Sequence, residues 1–507
     1  MSPFTRFNFK STLAITLLSG SLLLRAPLLA AAQTPSADPK PDREELTITT
    51  EDAMQPWTGD FDQMIARRTI RVLTTYSKTF YFLDKATQRG ATYDAFRLFE
   101  EDLNKKLAKQ KKLQQKHLKV QVMFIPVSRE ELLPALAAGK GDIAAANLTV
   151  TEERRNLVDF AAPVYTDVSE LVVSGPFSPS LYRVEELSGK EVFVRRSSSY
   201  FESLTALNQR FAAEKKPPVI IKEAPENLED EDLIEMLNAG LIPLIVVDKH
   251  KAVFWKQVFP KIKIHENIAL RTGGEIAWAI RKQSPQLKAA LDDFLKRNGQ
   301  ASSAGSTILR RYFKNATYVK NAASQAERKK FLELLKFFQK YGDKYDVDWL
   351  LMAAQGYQES RLDQDARSPV GAIGVMQVMP DTGKDLSVGD IAKTEPNIHA
   401  GVKYMRWMID HYYGQEPMTQ LDKALFAFAS YNAGAGRISQ LRKLAAKRGL
   451  DPNIWFHNVE YIAAEKIGAE TVTYVGNIYK YYIAYSLIME QMGAKKQSIE
   501  QFKDQNK

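Results

Sequence analysis

The chain has 507 residues, 45% hydrophobic and 26% charged, with a formal net charge of +10. A single core stops growing at roughly 250–300 residues, so at least two large domains are expected. The absence of cysteine excludes disulfides, thiolate metal sites, cysteine nucleophiles and a cysteine-borne lipid anchor. The basic surplus favours anionic polymers or surfaces without choosing among them.

Residues 1–32 read as an export signal. Arg6 and Lys10 precede a mainly apolar run from Leu13 to Leu24, and Ala30-Ala31-Ala32 offers a small-residue cleavage site. The run is shorter than the roughly 20 residues of a spanning helix, although an uncleaved anchor is the alternative. Residues 33–67 are rich in Pro, Asp, Glu and Thr and read as a linker, with regular structure beginning near Arg68.

From residue 68 to 315 the pattern alternates strand and helix. Thr69–Thr75 and Leu118–Val127 read as strands, with a helix over Tyr93–Leu107 between them. A short helix over Glu130–Ala138 ends at Gly139, before a buried strand over Asp142–Ala146. A second unit has strands at Glu191–Val194, Leu244–Val247 and Glu275–Ile280, and helices through Leu233–Leu237 and Gln286–Leu295. Helices between short apolar strands predict parallel sheets in two α/β lobes, with ligands at the carboxyl ends of the strands. After residue 316 the strand signal disappears. Asp348–Tyr357, Ile398–Tyr413, Leu421–Ser430 and Thr473–Met489 read as helices of an all-α domain over 316–491, and the polar residues 492–507 read as a frayed tail.

Glu359 closes a helix made mostly of Leu350, Leu351, Met352, Ala353 and Ala354. Such surroundings desolvate a carboxyl and raise its pKa, as a general acid at neutral pH requires. Asp363, Asp365 and Asp381 read as turn and cap residues. The six histidines show no helix-borne zinc spacing, and neither metal nor cofactor is expected.

Four blocks follow in order: Glu359-Ser360, then Gly371 through Gln377, then Ala429 through Gly434, then Glu470 through Val475. Together they resemble the family 1 lytic transglycosylases, the goose-lysozyme-like group, over about residues 335–490. The resemblance implies a lysozyme-like fold and cleavage of the bond between N-acetylmuramic acid and N-acetylglucosamine in peptidoglycan, leaving 1,6-anhydro ends. It makes Glu359 the single acid/base, with the muramyl acetamido group supplying the function of a second carboxylate. It also implies that Ser360 holds Glu359 or the substrate acetamido group, that Gly374, Met376, Gln377, Tyr431 and Asn432 contact substrate, and that a tyrosine, Tyr474, is aimed at the catalytic carboxylate.

The segment Gly141 through Arg154, continuing to Asp159-Phe160 and Pro163-Val164-Tyr165, resembles the solute-binding proteins of family 3. That resemblance implies a two-lobed periplasmic-binding-protein-like clamp. Arg154 and Thr149 would take a ligand carboxylate, and Asp248 a ligand amine. Three departures are visible: Thr75 where a second acid is common, Asn147 where a glycine is common, and Arg195-Arg196 in the second lobe. The two arginines suit an acidic or larger ligand such as a murein peptide, in place of a free amino acid. A clamp that only spaces or docks the enzyme is the rival.

Fusion in this order resembles the membrane-bound lytic transglycosylase F group. The expectation is a periplasmic enzyme, peripheral to the outer membrane, acting on glycan strands and regulated by a clamp ligand, with no nucleic-acid partner. A non-catalytic murein receptor and a plain hydrolase are the other readings.

Overall fold

The computed structural model describes residues 45–505 apart from 114, 179, 315, 317–318 and 320–324. The export signal expected over 1–32 lies outside them. Among the described residues no helix is long and apolar enough to cross a membrane.

The strands that build the clamp are β1 (Thr69–Thr74), β2 (Gln121–Pro126), β3 (Ile143–Thr149), β4 (Tyr165–Ser174), β5 (Glu191–Arg195), β6 (Ile220–Ala224), β7 (Leu244–Asp248) and β8 (Lys263–Ile280). They join in the order β2-β1-β3-β8-β4-β7-β5-β6. Pairs β1–β2, β1–β3, β5–β6 and β5–β7 are parallel, as the alternating pattern predicts. The two strands that cross between lobes, β4 and β8, pair antiparallel to each other and to their neighbours. β8 runs through 18 residues with repeated register shifts. It begins well before the expected Glu275, because its first half is bulged and half-exposed and lacks the apolar run of a buried strand. Helices α1 (Ala91–Lys109), α2 (Ser199–Ala213), α3 (Asp230–Ala239), α4 (Lys249–Lys256) and α5 (Pro285–Asn298) cover the sheet faces. Gly240 ends α3 with φ of 78°, a left-handed cap that favours glycine.

The helical domain comprises α6 (Gln325–Tyr345), α7 (Trp349–Ser360), α8 (Thr394–Tyr412), α9 (Gln420–Ala433), α10 (Ala435–Lys447) and α11 (Ala469–Gln505), with shorter helices between them. Two expectations are corrected here. The stretch before Arg68 is structured: Leu46 bridges to Val347, a 3-10 turn covers Thr50–Met54 and a helix covers Phe61–Ala66. This segment is held by arginines. Arg71 donates to the carbonyls of Gln55 and Gly139, Arg281 donates to that of Gly59, and Arg67 stacks on Trp57 at 3.5 Å. All three arginines meet the fully buried Asp142.

The polar tail is not frayed either, because α11 continues to Gln505. At about 1.5 Å per residue its 37 residues make a rod roughly 55 Å long. Its first half packs on α7 and β2 within one core shared by the first lobe and the helical domain. Ile488 enters the core on the other face of the first lobe, and Phe502 the core of the second lobe, edge-on to Phe193 at 5.8 Å. Between them Lys495 pairs with Asp232 of α3 at 2.6 Å. Further bonds weld the first lobe to the helical domain: Tyr485 to the carbonyl of Ala86, Tyr357 to Thr87, and a buried Arg68–Glu460 pair.

Candidate active site and clamp cleft

α7 starts on Asp348, whose carboxylate accepts from the Leu350 amide at 2.8 Å and from the Tyr482 hydroxyl at 2.8 Å. Residues 351–357 are all buried, which fixes the helix in the core. The helix stops at Arg361 and Leu362, both in the left-handed region. Glu359 therefore lies in the last turn, at the border between core and surface. Burial pushes its carboxyl up to about 7, against an opposing hydrogen bond from Tyr474. An acid with that pKa is substantially protonated at neutral pH, which suits proton donation.

Tyr474, on α11, donates to Glu359 Oε1 at 2.5 Å. Gln355 Nε2 donates to the same phenol oxygen at 3.1 Å. Gln355 is fully buried, and its Oε1 has no hydrogen-bond partner among the described residues. A glutamine inside an apolar helix is costly, and this one serves to orient Tyr474. The sequence reading missed it, although its place one turn before Glu359 put it on the same helix face. Tyr431, on α9, has its phenol pKa pushed well up by burial and then by the nearby Glu359 carboxyl, and its hydroxyl donates to the Met376 carbonyl at 2.8 Å. Asn432 accepts from Thr471 at 2.7 Å, tying α9 to α11.

Other expected substrate contacts have different surroundings. Ser360 Oγ donates to the Val375 carbonyl at 2.9 Å and accepts from the Asp363 amide at 3.1 Å, so it pins the following loop and does not hold Glu359. Met376 is a core residue with no exposure, packed against Gly401 and Gly356. Gly374 has φ of 75°, and a Cβ there would meet the Gln364 and Asn397 side chains within 2.7 Å, so packing as well as conformation demands glycine. Gln377 donates to the Gly374 carbonyl at 2.9 Å. The buried Asn397, which the sequence reading missed, organises this loop: it accepts from the Met376 amide and donates to the Ile373 carbonyl, each at 2.8 Å. An asparagine on an amphipathic helix carries no signal of that task.

In the clamp, the lobes touch through their own side chains. Arg129 forks onto Glu229 with bonds of 2.6 and 3.1 Å, and the Lys78 amide donates to Glu231 at 2.6 Å. Arg154 bonds the carbonyls of Thr149 and Ser197 and pairs with Glu202, while Ser199 donates to Thr149 Oγ1. Asp248 Oδ2 already accepts from the Asn147 side-chain Nδ2 at 2.8 Å and lies 3.3 Å from Lys251, but its Oδ1 is buried without a partner among the described residues. Asn147 has φ of 55°, which explains an asparagine where glycine is common. Arg195 is 2% exposed and held by Asp230 and the Leu228 carbonyl, so most of its guanidinium serves a buried ion pair, although it also borders the cleft and its Nε has no partner among the described residues. A cavity of about 650 Å³ remains beside these contacts, lined by Arg129, Thr149, Arg154, Arg196, Ser199 and Glu202 among others.

Residues 72–315 match the family of bacterial extracellular solute-binding proteins, family 3, and residues 336–454 match the transglycosylase SLT domain. Glu359, Tyr431 and Asn432 fall inside the second match and Tyr474 beyond it. A protein of Desulfosudis oleivorans named membrane-bound lytic murein transglycosylase F is 29% identical over 434 residues, covering 82% of this chain and 89% of the relative. A protein of the same name from Ectopseudomonas mendocina is 26% identical over 453 residues, covering 84% and 86%. Among solved structures, the substrate-binding protein of an amino acid ABC transporter aligns with 49% of this chain and 100% of its own at 21% identity and a TM-score of 0.39.

Proposed function

We propose that this chain, a peptidoglycan lytic transglycosylase with the paired solute-binding and SLT domains of the membrane-bound lytic murein transglycosylase F group, cleaves the MurNAc–GlcNAc β-1,4 bond with Glu359 as its only protein acid/base. The observation that carries this is a half-buried carboxyl with pKa near 7, held by the Tyr474 hydroxyl at the end of an apolar helix. Tyr474 occupies Oε1, so Oε2 is the oxygen that gives its proton to the glycosidic oxygen as the C1–O bond breaks. The muramyl acetamido group stabilises C1 in the interval. The carboxylate then takes the proton of the muramyl O6 hydroxyl, O6 bonds to C1, and the 1,6-anhydro product leaves with Glu359 protonated again. The test is mass spectrometry of digested sacculi. Anhydro ends are expected; reducing ends alone would replace the lyase with a hydrolase.

Tyr474 sets the pH range in this scheme. Its hydrogen bond favours the carboxylate form of Glu359, so Tyr474→Phe should raise the pKa of the acid. Activity that requires the protonated acid falls as pH rises through that pKa. The alkaline limb of kcat/KM, expected near the free-enzyme pKa of about 7, should move to higher pH in the variant. A limb that stays in place would remove Tyr474 from this role.

The clamp, in this proposal, binds an amino acid or muropeptide between Arg154 and the unpartnered oxygen of Asp248, and through closure regulates the enzyme. A regulating ligand must bind open and closed lobes with different affinity. Added at a hundredfold excess over its Kd, a muropeptide should stabilise the folded chain by about 2.7 kcal/mol, a measurable rise in Tm. No shift with any amino acid or muropeptide would leave the clamp a spacer. We place the enzyme in the periplasm, at the surface of the outer membrane.

A further inference from the structure

α8 buries Val402, Met405, Met408 and Ile409 against the core. On its other side Tyr404 and Trp407 are half-buried and His411 is exposed, at spacings that put them in one row. The row is continuous. Tyr404 and Trp407 stack with centroids 5.7 Å apart and planes at 15°, and Trp407 and His411 at 5.1 Å and 12°. Tyr412 stands edge-on to Trp407 at 5.8 Å and to His411 at 4.6 Å. At its near end Tyr404 meets the ring of Tyr431 at 5.5 Å, and Tyr431 is the neighbour of Glu359. Among the described residues neither the Trp407 indole N–H nor the Tyr404 hydroxyl has a hydrogen-bond partner.

Trp407, His411 and Tyr412 leave ring surface on the solvent side of the helix, while Tyr404 also packs against the core. A row of rings that starts beside a catalytic carboxyl suits one ligand chemistry. A pyranose ring carries C–H groups on its faces and hydroxyl or acetamido groups around its rim. The rings of this row are parallel-displaced against one another, so the sugar C–H groups would meet the uncovered margins of the ring faces, and the rim meets N–H and O–H groups or water. From Tyr404 to His411 the row covers about 10 Å of helix, longer than one sugar ring. We infer that Tyr404, Trp407 and His411 form a saccharide-binding track that holds the glycan strand beyond the scissile bond, with Trp407 as its centre. The inference rests on the proposed glycan-cleaving function and adds to it a preference for long strands.

The test is calorimetric binding to the full-length chain carrying Glu359→Gln, with the β-1,4-linked N-acetylglucosamine hexasaccharide and disaccharide as probes. Adding Trp407→Ala should weaken the hexasaccharide about fivefold or more and leave the disaccharide unchanged. Trp407→Tyr should restore most of the loss. Tyr182→Ala, which removes a 74% exposed ring on the second lobe, should change neither. An unchanged hexasaccharide affinity in a folded Trp407→Ala chain, an equal loss for both probes, or no hexasaccharide binding at all would overturn the track. Cleavage of sacculi by the wild-type chain is scored separately. If it fails while the Trp407 effect persists, the enzymatic reading falls and the track stands.

Discussion

Glu359→Gln is expected to lower release of anhydromuropeptides from sacculi by at least about a thousandfold. General acid–base catalysis contributes about 10²–10⁴-fold where one proton transfer is assisted. In the proposed scheme one carboxyl serves both the departure of the leaving sugar and the attack of O6, so its amide loses both. The amide carbonyl can still accept the Tyr474 hydroxyl that now meets Oε1, so the fold should be retained. An unchanged Tm beside the lost activity separates chemistry from stability. Activity within tenfold of the wild type would sink the assignment.

The largest effect on stability is expected at Asp142. Its side chain is fully buried and meets three guanidinium groups, those of Arg67, Arg71 and Arg281. It also accepts from the Arg71 amide at 2.7 Å. Asp142→Ala leaves those cations without their shared anion in a dry setting. Breaking a buried pair from one side costs about 3–5 kcal/mol, and like-charge repulsion adds to it. The same arginines hold the carbonyls of Gln55 and Gly59, so the segment before β1 should loosen as well. Urea unfolding should show a lower midpoint, and proteolysis an early cut near residues 53–59. A midpoint shift worth less than about 1 kcal/mol would show that the cluster is hydrated.

The legibility of the fold followed how strongly each segment is buried. β1, β3 and β7 read as strands because both of their faces are covered and each carries a short apolar run, Val72-Leu73, Ile143–Ala146 and Leu244–Val247. The first half of β8 alternates irregularly because a lobe-crossing strand with bulges has no constant inward face. The tail read as frayed because Lys495 and Phe502, two residues in a polar stretch, are too few to make a period. At the site, Glu359 was visible because a lone acid in an apolar helix is chemically conspicuous. Gln355, in the same helix, was passed over because an uncharged amide attracts less notice. Met376 was assigned to the groove from its motif position, yet its side chain fills the gap above Gly401. A motif fixes which residues are near the chemistry without fixing which way they face.

The longest helix has a mechanical consequence. Tyr474 and Phe502 lie about 42 Å apart on one continuous rod, one hydrogen-bonded to the Glu359 carboxyl and the other seated in the distant lobe. A stiff shaft anchored at both ends and along its middle cannot slide at one end alone. Heat should therefore melt clamp and helical domain in a single event, and no cut between residues 474 and 502 can divide the polypeptide into two self-sufficient halves.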